Sequence, residues 1–365
     1  MTSAPGPGRP GLDIGADAAS LTAALVDVES VSGHETELAD LVQDALSSLP
    51  RLTLWRRGNV VGARTELGRA QRVVLAGHLD TVPVADNVPS HRAGSRLYGC
   101  GTSDMKSGDA VALRAAHLVG TGALDPRVDL TWIFYDCEEV EATRNGLNAV
   151  AADEPSLLAA DLAVLLEPTA GVVEGGCQGS LRADVRLTGR RAHSARSWLG
   201  VNAIHAAAPV LDRLAHYQAR TVDVDGLTFR EGLNAVAIRG GVAGNVIPDE
   251  CVVSVNYRFA PDRDLAAAET HLGEVFAGFE VAVLDRSPAA RPGLSGALAR
   301  SFVDAVGGEP SAKLGWTDVA RFSALGIAAL NFGPGDPNLA HTRGEYVELE
   351  RIEATESALL KFLRS

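Results

Sequence analysis

Four short apolar segments, each followed by histidine or acidic residues, constrain the fold of this chain more than any other feature. They are RVVLAG (72–77), LTWIFY (130–135), DLAVLL (161–166) and IAALNF (327–332). Continuous apolar runs of this length, with helical patterns in the chain around them, are typical of parallel strands that are buried on both faces. We therefore predict an α/β fold with a doubly wound, mostly parallel sheet.

A second pattern interrupts the first between residues 178 and 291. The segments in this region are predicted to alternate in the order strand, helix, strand, strand, helix, strand, from SLRADVRL to EVAVLD. This βαββαβ order is typical of a ferredoxin-like unit, which can fold around its own core. We therefore predict an inserted ferredoxin-like βαββαβ domain at 178–291, within a domain formed by residues 16–177 and 292–365.

Composition and charge exclude several classes of protein. Residues 1–15 are rich in Pro and Gly and lack the apolar core of a secretory signal, so we predict a disordered lead-in and a cytoplasmic protein. No apolar run approaches the roughly 20 residues that span a bilayer, so no membrane contact is expected. The net charge of −13 would repel phosphate backbones, so nucleic acid is not expected as a partner. The four cysteines form no CxxC pair and are predicted to be free thiols.

Metal-type ligands follow each of the four apolar runs. His78 and Asp80 follow the first, Glu138 and Glu139 the second, Glu167 the third, and His341 comes after the fourth. In a doubly wound sheet, ligands bind beyond the carboxyl ends of the strands, so these side chains are expected to meet. Asp104, in the turn of GCGTSDMKSGDA, is expected to join them, although Asp at such a position is also a common helix N-cap.

Two imidazoles and three carboxylates form a nitrogen and oxygen ligand set that suits Zn²⁺, with Co²⁺ or Mn²⁺ as substitutes. Two neighbouring dications need a negatively charged bridge, and Asp104 is the natural candidate. The sequence thus predicts two Zn²⁺ per subunit, held by His78, Asp104, Glu139, Glu167 and His341.

Two further acidic residues are expected to assist this centre. Asp80 lies two residues beyond His78 and is expected to accept the remaining ring N–H of that histidine. Glu138 adjoins Glu139 and is predicted to be the general base, which takes a proton from water and returns it to the leaving amine.

A helix is predicted after Gly33. Ser32 and Glu35 are spaced three residues apart, as in a capping box, and the apolar residues that follow repeat at helical spacing. We therefore expect the side chains of Ser32 and Glu35 to cap the start of this helix.

Several segments of the chain resemble the M20 metallopeptidase family. The matching runs include GHLDTVP (77–83), GTSDMKSGDAVAL (101–113), FYDCEEVEA (134–142), LEPT (166–169) and NFGPGDPNLAHT (331–342). The resemblance covers nearly the whole chain beyond the lead-in. Within the family it is to the actinobacterial enzymes that hydrolyse the amide of N-succinyl-L,L-2,6-diaminopimelate. It therefore implies a di-zinc amidohydrolase of lysine and diaminopimelate biosynthesis that releases succinate and L,L-diaminopimelate.

The resemblance also implies roles for residues that spacing alone does not identify. The inserted domain would be a lid through which two subunits form a homodimer. His193, in RRAHSA, would cross from the partner subunit to stabilise the oxyanion of the tetrahedral intermediate. A cis peptide bond is implied after Asp104. Contacts to the N-acyl amino acid substrate, whose carboxylates suit an arginine fork, are implied for Asn245, Arg258, Thr317 and Asp318.

Three alternative functions stay open at this point. The first keeps the chemistry and changes the substrate, as in an acetylornithine deacetylase-like deacylase or a dipeptidase. The second is a noncatalytic protein that a metal stabilises, which predicts a higher melting temperature with metal and no hydrolysis. The third is a cysteine hydrolase using Cys100 or Cys137, which alkylation would inactivate.

Overall fold

The computed structural model describes residues 11–364. Among these residues there are nine α-helices, which are, in chain order, α1 (Ala18–Val26), α2 (Thr36–Ser47), α3 (Lys106–Gly120), α4 (Gly146–Asp153), α5 (Ala208–Ala215), α6 (Leu265–Val275), α7 (Ala297–Val306), α8 (Val319–Ala324) and α9 (Leu349–Arg364). Short 3₁₀ segments occur at Pro155–Leu158, Ser194–Leu199 and His205–Ala207. None of the helices in the described part of the chain has both the length and the apolar character required to cross a bilayer.

The strands of the described residues are, in chain order, β1 (Thr53–Arg57), β2 (Val60–Arg64), β3 (Arg72–His78), β4 (His91–Ala93), β5 (Arg96–Tyr98), β6 (Asp129–Tyr135), β7 (Leu162–Leu165), β8 (Glu174–Gly175), β9 (Gly179–Thr188), β10 (Ala192–His193), β11 (Thr221–Val224), β12 (Leu227–Arg230), β13 (Gly232–Gly240), β14 (Val246–Ile247), β15 (Glu250–Phe259), β16 (Glu280–Ser287), β17 (Ser311–Ala312), β18 (Ala329–Asn331) and β19 (Tyr346–Glu348).

The chain divides into two compact units. The first contains the described residues up to Gly175, together with Gly293–Ser311 and the chain from Arg321 onward. The second consists of Gly176–Pro292 and Ala312–Ala320. The segment 312–320 thus groups with the second unit, whereas the sequence pattern assigned it to the first.

The first unit is built on an eight-stranded sheet with the order β1-β2-β6-β3-β7-β18-β8-β17. The four predicted strands, β6, β3, β7 and β18, lie side by side at its centre and run parallel. The strands β1, β2 and β8 pair antiparallel at its flanks. This arrangement confirms the predicted α/β fold with a mostly parallel sheet, and it brings the carboxyl ends of four strands to one edge.

Apolar side chains from the sheet and its helices form the core of this unit. Every residue of β6 is buried, and its second half is a continuous apolar run, as expected of a strand that is covered on both faces. At the C-terminal end of the chain, the ring of Phe302 in α7 packs edge-on against Phe332 and Phe362, with ring centroids 5.4 and 4.9 Å away. Burial of one such ring stabilises the fold by about 1.5–3 kcal/mol.

The second unit contains a four-stranded antiparallel sheet with the order β13-β15-β9-β16. With α5 between β9 and β13, and α6 between β15 and β16, the chain order is βαββαβ. Numbering its four strands from one to four gives the sheet order 4-1-3-2, which confirms the ferredoxin-like prediction. A hairpin of β11 and β12, which the sequence pattern did not predict, stands between α5 and β13.

The expected disorder of the lead-in is wrong for part of residues 1–15. Residues 1–10 lie outside the described residues. Ile14 is buried in the core of the first unit, and the backbone N–H of Gly15 donates to the carboxylate of Asp13. The apolar side chain of Ile14 therefore fixes a segment whose Gly and Pro content alone predicted disorder.

The expected capping box is also wrong. Helix α2 begins at Thr36, and no side-chain hydrogen bond caps it. The Ser32 hydroxyl instead donates to Asp80 Oδ2 at 2.6 Å. The buried carboxylate of Glu35 accepts from the backbone N–H of Gly33 at 2.6 Å and of Cys137 at 3.2 Å. Both side chains form hydrogen bonds with neighbouring loops, so neither of them caps α2 as the spacing predicted.

We predict that Phe302→Ala lowers the free energy of unfolding by about 3–5 kcal/mol, because the lost ring leaves a cavity against two other rings. Urea denaturation followed by circular dichroism measures this loss. Leu325→Ala is the matched control in the same unit, because Leu325 is 37% exposed and its truncation should cost much less. Equal losses for the two variants would contradict the packing described here.

Candidate metal centre

The centre is built around His78, the last residue of the central strand β3. Its imidazole is buried, and Nε2 lies 3.2 Å from Oδ1 of Asp104, in the turn before α3. The backbone N–H of His78 faces the sulfur of Met105 at 3.4 Å. The peptide bond between Asp104 and Met105 is cis, as the family resemblance implied. The strand end and this turn together place the first imidazole against the first carboxylate.

The two oxygens of Asp104 face two different imidazoles. Oδ1 faces His78, as described, and Oδ2 lies 3.4 Å from Nε2 of His341. The same Nε2 is 2.8 Å from Oε1 of Glu139. Ligand atoms of His78, Asp104 and Glu139 all lie within 4.8 Å of one another. Four of the five predicted ligands are thus brought together, with Asp104 between the two imidazoles.

Two of the loops at this edge adopt unusual backbone conformations. His341 has a φ of 62° and Cys137, two residues before Glu139, has a φ of 57°. Residues with side chains rarely adopt this left-handed region, and such residues cluster at functional sites. Both loops therefore present their side chains from backbone positions that regular strands do not provide.

The fifth predicted ligand, Glu167, lies at the same sheet edge, two residues beyond the end of β7, and is buried. The fully buried Asp109 of α3 is near it. Burial raises the pKa of the Asp109 carboxyl well above its usual range, and the charge of Glu167 raises it further. Oδ1 of Asp109 packs against Gly77, where any side chain would collide with it. Acidic groups therefore also line the buried side of the centre.

The charges around the two imidazoles favour bound cations. Burial disfavours the charged form of His78, but hydrogen bonds with Asp104 and Asp80 raise its pKa well above the usual range. Hydrogen bonds with Asp104 and Glu139 raise the pKa of His341 to about 10. Burial opposes the charged form of Asp104, yet its bonds to both histidines lower its pKa overall. The centre has surplus negative charge, and its nitrogen and oxygen donors fit a divalent metal.

Asp80 contacts His78 with both its main chain and its side chain. The ring Nδ1 of His78 lies 3.0 Å from the backbone carbonyl of Asp80 and 3.5 Å from its carboxylate. The carboxylate also accepts the backbone N–H groups of Glu138 at 3.0 Å and Glu139 at 3.1 Å, together with the hydroxyl of Ser32. Asp80 therefore faces the ring Nδ1 of His78 with its carbonyl and its carboxylate, and the same carboxylate fixes the loop that carries both glutamates.

A second group that could hold a cation consists of Glu35, immediately before α2, and of Asp136 and Cys137 in the loop that carries the two glutamates. Burial and the neighbouring Glu35 raise the pKa of the Cys137 thiol to about 12, and burial raises that of Cys100. The thiolate is the reactive form of cysteine, so both thiols are poor nucleophiles at neutral pH. These environments argue against a cysteine hydrolase.

The predicted oxyanion donor, His193, is an exposed residue of the second unit and the last residue of the short strand β10. Its Nδ1 accepts the backbone N–H of Ala195 at 3.0 Å. In a neutral imidazole, the proton must then be on Nε2, which is left as a donor. The backbone carbonyl of Asn245 accepts the N–H of Ser194 at 2.9 Å, so His193 and Asn245 belong to neighbouring segments.

The other three predicted substrate contacts lie around Cys177 in the second unit. The Cys177 thiol donates to the backbone carbonyl of Thr317 at 3.6 Å, and burial raises its pKa to about 11. Asp318 is fully buried, and its charge also raises that pKa. Burial lowers the pKa of Arg258 in β15, an effect that the nearby Cys177 opposes. Arg258, Thr317 and Asp318 thus all lie near the Cys177 thiol.

The sequence pattern did not identify the buried carboxylate of Glu345. It accepts the backbone N–H groups of Gly101, Ser103 and Asp104. Burial raises its pKa to about 7, although these three hydrogen bonds favour its charged form. Glu345 lies four residues after His341 in a polar stretch, where most glutamates would be exposed. The sequence pattern therefore does not indicate that its side chain is buried.

Comparison with known proteins shows the family to which the chain belongs. The family model described as peptidase family M20/M25/M40 matches residues 74–365. A Corynebacterium glutamicum protein named succinyl-diaminopimelate desuccinylase is 50% identical over 97% of this chain and 98% of its own length. A Mycobacterium tuberculosis protein that carries the same name provisionally is 55% identical over 96% of this chain and 99% of its own.

The fold has solved counterparts as well. The crystal structure of a Staphylococcus aureus tripeptidase superimposes with a TM-score of 0.79 at 20% identity, covering 95% of this chain and 97% of that one. The likeness at this identity concerns the fold alone. The family match and the two relatives together cover nearly the whole chain, and the chain therefore belongs to peptidase family M20/M25/M40.

Proposed function

We propose that this protein hydrolyses the amide of N-succinyl-L,L-2,6-diaminopimelate to succinate and L,L-diaminopimelate. The observation that carries the proposal is the 50% identity, over 97% of the chain, to the C. glutamicum desuccinylase. The cluster of His78, Asp104, Glu139 and His341 supports it. Such a cluster can bind metal, and a bound metal would polarise the amide carbonyl and activate a water molecule for hydrolysis. The four buried free cysteines support a location in the reducing cytoplasm.

The proposed cofactor is a pair of Zn²⁺ ions, which Co²⁺ or Mn²⁺ could replace. The proposed ligands are His78, Asp104, Glu139, Glu167 and His341. The two oxygens of Asp104, which face different imidazoles, support its role as the shared ligand. When bound, the ions supply polarisation of the amide carbonyl and lower the pKa of a water molecule toward neutrality.

Glu138 is the proposed general base. The hydrogen bond from its backbone N–H to Asp80 fixes its place beside Glu139, and hence beside the metal ligands. In the proposed reaction its carboxylate accepts a proton as water oxygen bonds to the amide carbon. It then delivers that proton to the nitrogen as the carbon–nitrogen bond breaks. One water is consumed, and an acid and an amine leave.

The second unit is proposed to supply the contacts to the substrate. His193 would donate its Nε2–H to the developing oxyanion from the partner subunit, and its hydrogen bond with Ala195 supports that tautomer. Arg258 offers a guanidinium for one of the substrate carboxylates. Further contacts are proposed for Asn245, Thr317 and Asp318.

A homodimer through the second unit is the proposed assembly. Strand β13 is an edge strand of its sheet, and Val236 and Ile238 on it are 61% and 50% exposed. Val242, just beyond this strand, is 66% exposed. An edge with unpaired backbone groups and exposed β-branched side chains favours pairing with another chain, so a second copy is the proposed partner.

We predict that Asp104→Asn and Glu138→Gln both abolish turnover and differ in metal content. Asp104→Asn removes the negative charge of the shared ligand and replaces one of its two oxygens by NH2, so bound zinc should fall. Glu138→Gln should keep wild-type zinc and lower kcat by about 10²–10⁴, the usual contribution of a general base. Metal analysis by mass spectrometry and a succinate-release assay measure the two effects. Glu141→Gln, in the same loop, is the control and should change neither, whereas full activity of Glu138→Gln would remove the proposed base.

The substrate assignment predicts that kcat/KM for succinyl-diaminopimelate exceeds that for acetylornithine or simple dipeptides by at least about 100-fold, because a site built for charged groups rejects analogues that lack them. Purified zinc-loaded protein assayed on the three substrates measures the ratio. Faster hydrolysis of acetylornithine or of a dipeptide would support the corresponding deacylase or dipeptidase instead. No hydrolysis of any of them, with a higher Tm in zinc, would support the noncatalytic alternative.

Subunit mixing tests the proposed exchange of His193. In a heterodimer of His193→Ala and Glu138→Gln subunits, one site carries both defects and the other site carries none. Each variant alone should be nearly inactive, and random pairing of the two should restore about one quarter of wild-type activity, because half of the dimers are mixed. Mixtures that stay inactive, although light scattering finds dimers, would contradict the exchange.

A further inference from the structure

Glu345 connects two loops of the metal centre with one buried side chain. It is 2% exposed and lies immediately before β19. Its Oε1 accepts the backbone N–H of Ser103 at 2.8 Å and of Asp104 at 3.1 Å. Its Oε2 accepts the N–H of Gly101 at 3.1 Å. Three N–H groups of the turn that carries the proposed bridging ligand therefore converge on one carboxylate.

The turn around Asp104 has no regular secondary structure to hold it. Residues 99–105 belong to neither a helix nor a strand, and Gly101 adopts a φ of 83°. Successive N–H groups that point inward form a concavity for a negative charge. In this chain the side chain of Glu345 occupies that concavity, so the turn depends on it for its conformation.

The same residue also belongs to the segment that carries His341. The backbone N–H of Glu345 donates to the carbonyl of Thr342, the residue after His341, at 3.2 Å. Its own carbonyl accepts the N–H of Gly99 at 3.1 Å. Main chain and side chain of Glu345 thus both join the Asp104 turn to the His341 loop, whose imidazole is 3.4 Å from Asp104 Oδ2.

We propose that Glu345 is a positioning residue of the metal centre. Its carboxylate holds Asp104 between His78 and His341 and thereby determines how tightly the centre binds metal. Glu345 does not need to touch metal or substrate to do so, because it acts through the backbone of Asp104 and its neighbours. The proposal rests on the proposed assignment of these three residues as ligands.

Glu348 offers a matched control three residues further along the chain. It lies in β19, and its carboxylate accepts from Arg96 at 2.7 Å and from Ser95 at 3.1 Å. It is thus an acid of the same segment, with two hydrogen bonds to another segment of the first unit, and it bonds to no residue of the Asp104 turn. A purely structural role of such acids would make the two positions respond alike.

The test compares Glu345→Gln with Glu348→Gln. Glutamine keeps the size of Glu345 but turns an N–H donor toward backbone N–H groups, so the concavity loses an acceptor. Zn²⁺ affinity of the folded proteins is measured by competition with a chromophoric chelator, alongside kcat for succinate release and the Tm of the metal-free forms. We expect Zn²⁺ binding of Glu345→Gln to weaken about 10–100-fold, and its kcat to recover in part with excess Zn²⁺. Glu348→Gln should bind Zn²⁺ like wild type.

Wild-type Zn²⁺ affinity in folded Glu345→Gln would overturn the proposal, whatever its Tm. If that variant does not fold, Glu345→Asp decides in its place, because it keeps the charge and shortens the reach by one methylene. Weaker Zn²⁺ binding by Glu345→Asp supports the proposal, and unchanged binding overturns it. Failure of the proposed function is separable from these outcomes, because the wild-type protein itself would then neither bind Zn²⁺ nor release succinate.

Discussion

The alignment of four parallel strands is the constraint on which the rest of this structure depends. Because β6, β3, β7 and β18 run in the same direction, their carboxyl ends lie at one edge of the sheet. The residues that follow those ends are then close in space, although more than 260 positions separate His78 from His341. A change in strand direction would disperse the ligand-type side chains, whereas the exact length of the intervening helices matters little.

Concentrating negative charge at one place is unfavourable unless donors compensate for it. This chain compensates with its own backbone. Asp80 accepts the N–H groups of Glu138 and Glu139, Glu35 accepts that of Cys137, and Glu345 accepts three from the Asp104 turn. Carboxylates outside the proposed ligand set thus fix the loops whose side chains are proposed to bind metal.

The sequence predicted the framework of the centre well, because strand direction and strand ends leave a readable pattern. The parallel core, the ferredoxin-like insertion and the proximity of His78, Asp104, Glu139 and His341 all followed from it. The sequence pattern did not predict the hydrogen bonds that hold the loops of the centre. Glu35 fitted a capping box and proved to be a buried acceptor for a distant loop, and the partners of Glu345 stand about 240 positions away. Hydrogen bonds between irregular segments have no periodicity, so a sequence pattern does not reveal them.

The position of the second unit within the chain has an evolutionary consequence. The main chain leaves the first unit after β8 at the edge of the parallel strands and rejoins it at Gly293, before β18 completes the pairing with β7. Mutations in the excursion therefore leave the pairing register of the central strands untouched. Selection can then diversify the residues that we propose contact the substrate while the proposed metal ligands stay the same.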